Sequence, residues 1–175
     1  MKKIVIIGST GSGKSTLAKK LSQKLELAYI DLDDFHHLPG WKERTREEFC
    51  ELTEAATRGG AWVVAGNYLA KAADITWPRA DTLIWIDLPF FFNLKQLLKR
   101  SFKRAATQEI ICNGNRETLG KLFFSKDSIL LWLLRSHHKN RKRYGKIFAH
   151  PEAYPHLTLI RLRSNAESDA FIAGL

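Results

Sequence analysis

The sequence predicts an α/β fold in three layers, a five-stranded parallel sheet between helices, and three observations carry that prediction. Short runs rich in β-branched and aromatic residues recur along the chain, as at 3–7 and 62–65. Helical stretches with one apolar stripe fall between them, the alternation of a parallel sheet with crossovers. The first run stops at a glycine-rich turn that opens straight into a helix.

The elements follow in order. Residues 3–7 are continuously apolar after the lysine and end at Gly8, as a strand covered on both faces should. From Ser15 to Leu25 a helix is expected, with Leu17, Leu21 and Leu25 on one stripe. A short second strand occupies 28–32. Thr45-Arg46-Glu47-Glu48 is a capping box that opens a helix reaching about Arg58, with Phe49, Leu52 and Ala56 inward. Gly59-Gly60 ends it, and two buried strands follow at 62–65 and 82–86. Pro89 starts a long helix that carries Leu94, Leu97, Leu98 and Phe102. Residues 105–128 include Asn113-Gly114-Asn115 and show no clean period. A helix from Ser128 to about Arg143 begins apolar and turns basic. The last strand is 157–162, and Ser164-Asn165-Ala166-Glu167 caps a short terminal helix.

Composition narrows the function classes. The 175 residues are 45% hydrophobic, enough for one core and too few for two ordinary domains. No apolar run approaches the roughly 18 residues that span a bilayer, and the first residues are too short an apolar run for a secretory signal. Cys50 and Cys112 form no disulfide or metal spacing, so a reducing cytoplasm is the expected setting. The formal charge of +10 is localised: residues 95–146 hold 14 Lys/Arg against 3 Asp/Glu, and the remainder is nearly neutral. One basic segment on a neutral body suits a module closing over polyphosphate, or a nucleic-acid patch.

Gly8-Ser9-Thr10-Gly11-Ser12-Gly13-Lys14-Ser15, followed by Thr16, fits G-x-x-x-x-G-K-[ST] at every specified position. Its glycines let backbone N–H groups approach phosphate oxygens, and the following helix aims its positive end at the same anion. Lys14 would reach the β- and γ-phosphates and Ser15 would ligate the bridging magnesium. The ligand expected is therefore ATP, with GTP the alternative, together with Mg2+. The dinucleotide fingerprint fails, because no acidic residue in a G-x-G-x-x-G context replaces the Lys14-Ser15 pair.

The whole chain resembles adenylate-kinase-like small-molecule kinases, and within them the DNA topology modulation protein group. The residues concerned are Asp33, His37-Leu38-Pro39-Gly40-Trp41, Trp62-Val63-Val64-Ala65-Gly66-Asn67-Tyr68, the stretch Ala80 to Pro89, and Arg161-Leu162-Arg163-Ser164. The resemblance implies a single domain over 1–175 with sheet order 2-3-1-4-5, an acceptor flap near 33–60 and a basic lid near 100–145. It also implies an acceptor site at Asp33, Trp41, Asn67 and Tyr68, and metal support from Ser15 and Asp33.

Arginines that close over a γ-phosphate are the expected equipment of phosphoryl transfer. Arg100 and Arg104, four apart on one helix face, are the first candidates; Arg135, then Arg141 and Arg143, return from the far side of the lid. With Lys14 and Asp33 they make the expected catalytic set. Asp31 and Asp34 flank Asp33 and suit turn or cap positions. The chain departs from the family at Ala65, where an aspartate usually ends the third strand, and at Gln96, where a basic residue is common. Either the metal relies on Ser15 and Asp33, or Asp87 helps, or turnover is reduced.

The pairs His36-His37 and His137-His138 cannot both face one metal from a regular element, and Trp62, Trp85 and Trp132 read as core. The reading that results is an ATP-dependent kinase of a small acceptor. The alternative is a nucleotide-binding regulator that meets DNA or RNA through 95–146.

Overall fold

The computed structural model describes residues 1–125 and 128–175; residues 126 and 127, inside the expected lid, lie outside the described residues. The strands are β1 (Lys3–Gly8), β2 (Ala28–Asp31), β3 (Trp62–Ala65), β4 (Thr82–Ile86), β5 (Ile110–Ile111), β6 (Asn115–Arg116) and β7 (Thr158–Leu162). The helices are α1 (Lys14–Leu25), α2 (Leu32–His36), α3 (Arg46–Ala56) and α4 (Leu69–Thr76), then α5 (Phe90–Thr107), α6 (Leu119–Phe124), α7 (Ile129–Ala149) and α8 (Asn165–Ala173).

Five strands form one parallel sheet in the order β2-β3-β1-β4-β7. That is the expected 2-3-1-4-5 once the antiparallel hairpin β5–β6 is set aside. Side chains alternate across a strand, so each strand feeds two cores. Val5, Ile7, Trp62, Val64, Leu83 and Trp85 enter one, with Phe49 of α3 and Tyr144 of α7. Ile4, Ile6, Val63, Ala65, Ile84 and Ile86 enter the other, with Leu17, Ala18 and Leu21 of α1. Burial on both faces is why the strands read as unbroken apolar runs. Each large side chain so buried contributes roughly 1.5–3 kcal/mol of transfer free energy.

Both expected caps form, with one shift. Thr45 Oγ1 accepts from Glu48 N at 3.2 Å while Glu48 Oε2 accepts from Thr45 N at 3.2 Å. Ser164 Oγ accepts from Glu167 N at 3.0 Å, but Glu167 reaches back to Arg163 N, one residue early.

Some inward assignments are corrected. Leu52, Phe102 and Trp132 are 37%, 48% and 58% exposed. On α7 the buried residues are Leu133, Ser136, His137 and Tyr144, so Trp132 falls off the inward stripe.

Elements the period did not reveal also shape the site. α2 follows β2 immediately, its N-terminus capped by Asp31 accepting from Asp33 N at 3.1 Å. α4 packs its Leu69 and Ala72 into the core. The β5–β6 hairpin turns at Cys112, Asn113 and Gly114, all at positive φ. Asn113 Nδ2 donates to the carbonyls of Asp34 and His37, both at 2.6 Å, and Asn115 Nδ2 donates to Leu38 O at 2.9 Å. The hairpin thus lies on the segment that follows β2.

Candidate active site

The carboxyl ends of β1, β2, β3 and β4 gather the chemistry, at the crevice where open parallel sheets place ligands. β1 ends at Gly8, whose neighbours leave no room for a side chain: a Cβ there would stand 2.7 Å from Ile86 O and from Ser12 Oγ. Gly11, at φ +79, would bring a Cβ to 2.5 Å from Asn93 O. Gly13 precedes α1 in the left-handed region with no side-chain cap, which leaves that helix's first N–H groups for an anion. Ser9 and Ser12 are buried, and Ser12 Oγ has no hydrogen-bond partner among the described residues. Thr10 and Thr16 flank the glycines, Thr16 exposed on the first turn of α1.

Lys14 folds back over its own loop, Nζ donating to Gly8 O at 3.0 Å and Ser9 O at 2.9 Å. Burial lowers its pKa to about 8; Asp33 and Asp31 oppose that shift and Arg100 adds to it. Asp33, Asp31 and Arg100 thus each bear on the charge of the loop lysine.

The aspartates after β2 are distinguished by their partners. Asp31 lies in register with Ala65 of β3. Its Oδ2 accepts from Tyr29 OH at 2.6 Å, and the Ser15 hydroxyl nearby favours its charged form. Burial first, then the charge of Asp33, pushes its carboxyl above the ordinary range despite both hydroxyls. Asp33 accepts from Tyr68 OH at 2.7 Å. Burial, then Asp33, raises the Tyr68 phenol, so it stays a donor. Asp34 is likewise raised, by burial and then by Asp33.

Around Asp33 the flap supplies aromatic walls. Tyr68 lies 4.8 Å from the His36 ring, and Trp41 packs on His37 at 5.3 Å. The hairpin holds Trp41: its N donates to Asn115 Oδ1 at 2.8 Å and its Nε1 to Arg116 O at 3.3 Å. Asn67, expected on the acceptor side, brackets the loop instead. Its Oδ1 accepts from Gly8 N at 3.1 Å and its Nδ2 donates to Gly8 O, while Tyr144 OH donates to Oδ1 at 3.2 Å.

From α5, Arg104 meets Glu117 at 2.9 Å and Arg100 meets the same carboxylate at 3.6 Å. Arg100 Nε and Glu117 Oε2 are buried without partners. Burial lowers the Arg100 pKa, which Glu117 raises and Arg104 lowers. Arg135 lies exposed on α7. Asp87, considered as metal support, has both carboxylate oxygens taken: Arg161 Nε donates to Oδ2 at 3.1 Å and Arg141 Nε lies 2.9 Å from Oδ1. Among the described residues no group of three or more His, Cys, Asp or Glu forms a metal cluster.

Beyond Gly13 and Thr16 a cleft of about 150 Å³ opens between α1, α5 and α8, lined also by Lys20, Gln96, Asn165 and Asp169. Lys20 and Asp169 close one side as an ion pair at 2.8 Å. Gln96 Nε2 is buried there without a partner.

Sequence reasoning overlooked Glu117 and weighed His137 only as a metal ligand paired with His138. Neither sits in a motif; the signal for Glu117 is one of the few carboxylates in a basic segment.

Residues 10–60 match the family model for shikimate kinase, less than a third of the chain. An uncharacterized protein of Bacillus subtilis (strain 168) is 27% identical over 130 residues, 73% of this chain and 72% of its own. A shikimate kinase of Microcystis aeruginosa is 28% identical over 130 residues, 66% and 67% of the two chains. In three dimensions the chain superposes on shikimate kinase from Acinetobacter baumannii in complex with shikimate with a TM-score of 0.61. That match is 15% identical and covers 99% of this chain and 90% of the other. No described helix is long and apolar enough to cross a membrane. The chain thus carries a complete phosphate loop in a fold shared with shikimate kinase, and shikimate kinases match it in part in sequence.

Proposed function

We propose that the protein transfers the γ-phosphoryl group of a nucleoside triphosphate, with ATP the expected donor, to a hydroxyl of a small acceptor held between flap and lid. One observation supports this above the rest: Lys14, folded over the loop that ends β1, and Asp33, held by Tyr68 OH at 2.7 Å just after β2, stand at the same end of one parallel sheet. A phosphate-loop cation and a candidate base therefore share the crevice at the carboxyl ends of the strands.

The chain's own groups take the following roles. The N–H groups of residues 9–16 cradle the phosphates, and Lys14 exchanges the Gly8 and Ser9 carbonyls for β- and γ-oxygens. Asp33, oriented by Tyr68, accepts the proton of the acceptor hydroxyl as its oxygen bonds to the γ-phosphorus and the bond to the β-phosphate oxygen breaks. Arg100 and Arg104 move from Glu117 to the γ-phosphoryl oxygens, where charge accumulates. Arg135 is near enough in sequence to follow with the lid, and Trp41 stacks on the acceptor.

Magnesium fits the residues present. Asp31 is a buried carboxylate crowded by the like charge of Asp33, with the Ser15 hydroxyl nearby, the situation a cation relieves. Ser15 and Asp31 would hold it, taking the support assigned from sequence to Ser15 and Asp33, and it would neutralise charge on the β- and γ-phosphates. The register of Asp31 with Ala65 puts a carboxylate beside the strand end that lacks one. The cleft at Thr16 and Gln96 takes the nucleobase. The basic segment supports the kinase reading over nucleic-acid binding, because Arg100, Arg104 and Arg141 face carboxylates of the fold. The finer resemblance to the topology modulation group rests on the Gly66-Asn67-Tyr68 and Trp85–Pro89 blocks, and Asn67 bracketing Gly8 gives the first a structural reason.

The test is phosphate transfer from ATP with magnesium to a panel of nucleosides, nucleoside monophosphates, shikimate and gluconate, with Lys14→Ala and Asp33→Asn alongside. Transfer is expected to one class, absent in Lys14→Ala and reduced about 10²- to 10⁴-fold in Asp33→Asn. Equal transfer by Asp33→Asn would remove Asp33 from the reaction.

A further inference from the structure

We propose that His137 is a positioning residue of the phosphate loop: from α7 its ring holds Ser9, and through Ser9 the resting place of Lys14, so that nucleotide affinity depends on it. The inference rests on the loop binding a nucleoside triphosphate and is independent of the acceptor.

His137 is 2% exposed. Its Nδ1 lies 3.0 Å from Ser9 Oγ and 3.4 Å from Asn93 Nδ2. An amide nitrogen only donates, and Asn93 Nδ2 also donates to Leu88 O at 3.2 Å. Nδ1 is therefore the acceptor, the ring proton is on Nε2, and the Ser9 hydroxyl donates to the same nitrogen. The next link is the backbone of Ser9, whose carbonyl accepts from Lys14 Nζ at 2.9 Å. α5 braces the other side, where Asn93 O crowds Gly11. The loop is thus clamped from outside by α5 and by α7, the helix that returns from the lid.

The charged groups facing the ring are His138 and Arg141 on α7 and Asp87 after β4; from α5 the Phe90 ring lies 5.4 Å away. Burial, then His138 and Arg141, favour the neutral ring, and Asp87, already paired with two arginines, opposes them weakly. A proton on Nδ1 would set a donor against the Asn93 amide and remove the acceptor that Ser9 uses. The fold resists that proton, so the contact is intact above the ordinary histidine value and is lost as pH falls below it.

The experiment measures affinity for the β,γ-imido analogue of ATP with magnesium, by calorimetry from about pH 5.5 to about pH 8. The proteins are wild type, His137→Asn, which keeps an acceptor without titrating, and His137→Leu, which has none. Near neutrality His137→Leu should bind about tenfold more weakly, the loss of one buried hydrogen-bond link. His137→Asn should stay within about threefold of wild type. The ratio of wild-type to His137→Asn affinity, which cancels protonation of the nucleotide, should fall several-fold toward acid. Unchanged binding by a folded His137→Leu, or a ratio flat with pH, overturns the proposal. If His137→Leu does not fold, the ratio alone decides. No wild-type binding at any pH would overturn the nucleotide reading and this proposal together.

Discussion

Lys14 shows at the scale of one residue how function is set against stability. Without a triphosphate its ammonium is held by two carbonyls of its own loop, and burial brings its pKa down to about 8. The empty protein carries a charge it would rather lose, and phosphate binding reverses that preference. Lys14→Met should therefore melt a few degrees higher than wild type at neutral pH without ligand, and show no stabilisation by nucleotide. Between pH about 8 and the ordinary lysine value the unfolded wild type binds the proton that the folded one has shed. Wild-type stability then rises with pH and the gap to the variant narrows. Thermal unfolding at neutral and alkaline pH checks both; a less stable variant, or a constant gap, would contradict this account of the lysine. The same scale shows where sequence falls short. Three aspartates stand at the end of β2 or just after it, and the family resemblance favoured Asp33. The division of labour between Asp31, at Ser15, and Asp33, at Tyr68, depends on α2 starting directly after β2. A helix of five residues leaves no period to read.

Elements were legible in proportion to how locally they are specified. The sheet strands came within about a residue of their ends, the ordinary uncertainty of such limits, because burial on both faces writes an apolar run. The Thr45–Glu48 box was readable because both of its bonds lie within four residues. α4 was missed: Tyr68 offers no side-chain cap and the helix is eight residues long. The β5–β6 hairpin was missed because its strands are two residues each and its anchors are carbonyls of the flap more than 70 residues away. That hairpin leads into Glu117, whose carboxylate engages the two arginines proposed to meet phosphate. On that proposal Glu117 competes with nucleotide for Arg100 and Arg104. Glu117→Gln should tighten binding of the imido analogue by roughly threefold to tenfold, since a charge-assisted pair of about 1–1.5 kcal/mol no longer has to be broken. Glu109→Gln, at a longer and more exposed pair, should leave affinity unchanged. Weaker binding in Glu117→Gln would mean that the carboxylate positions the arginines rather than occupying them.

Across the whole molecule, the fold places four candidate segments distant in sequence toward one end of the sheet: the loop after β1, the aspartates at the end of β2, Asn67 after β3, and the basic segment with its arginines that follows β4. The loop and the basic segment were visible in the sequence as a motif and a charge excess. Their connection through Asn67 and His137 was not, since each contact spans 59 or more residues. The central claim is that this assembly passes a phosphoryl group to a small molecule. It is tested most directly by following label from γ-labelled ATP through a small-molecule extract, with wild type, Lys14→Ala and Asp33→Asn. The account predicts label in a new phosphorylated compound that requires both residues. Label released only as inorganic phosphate, or a labelled product formed equally by the variants, would contradict it.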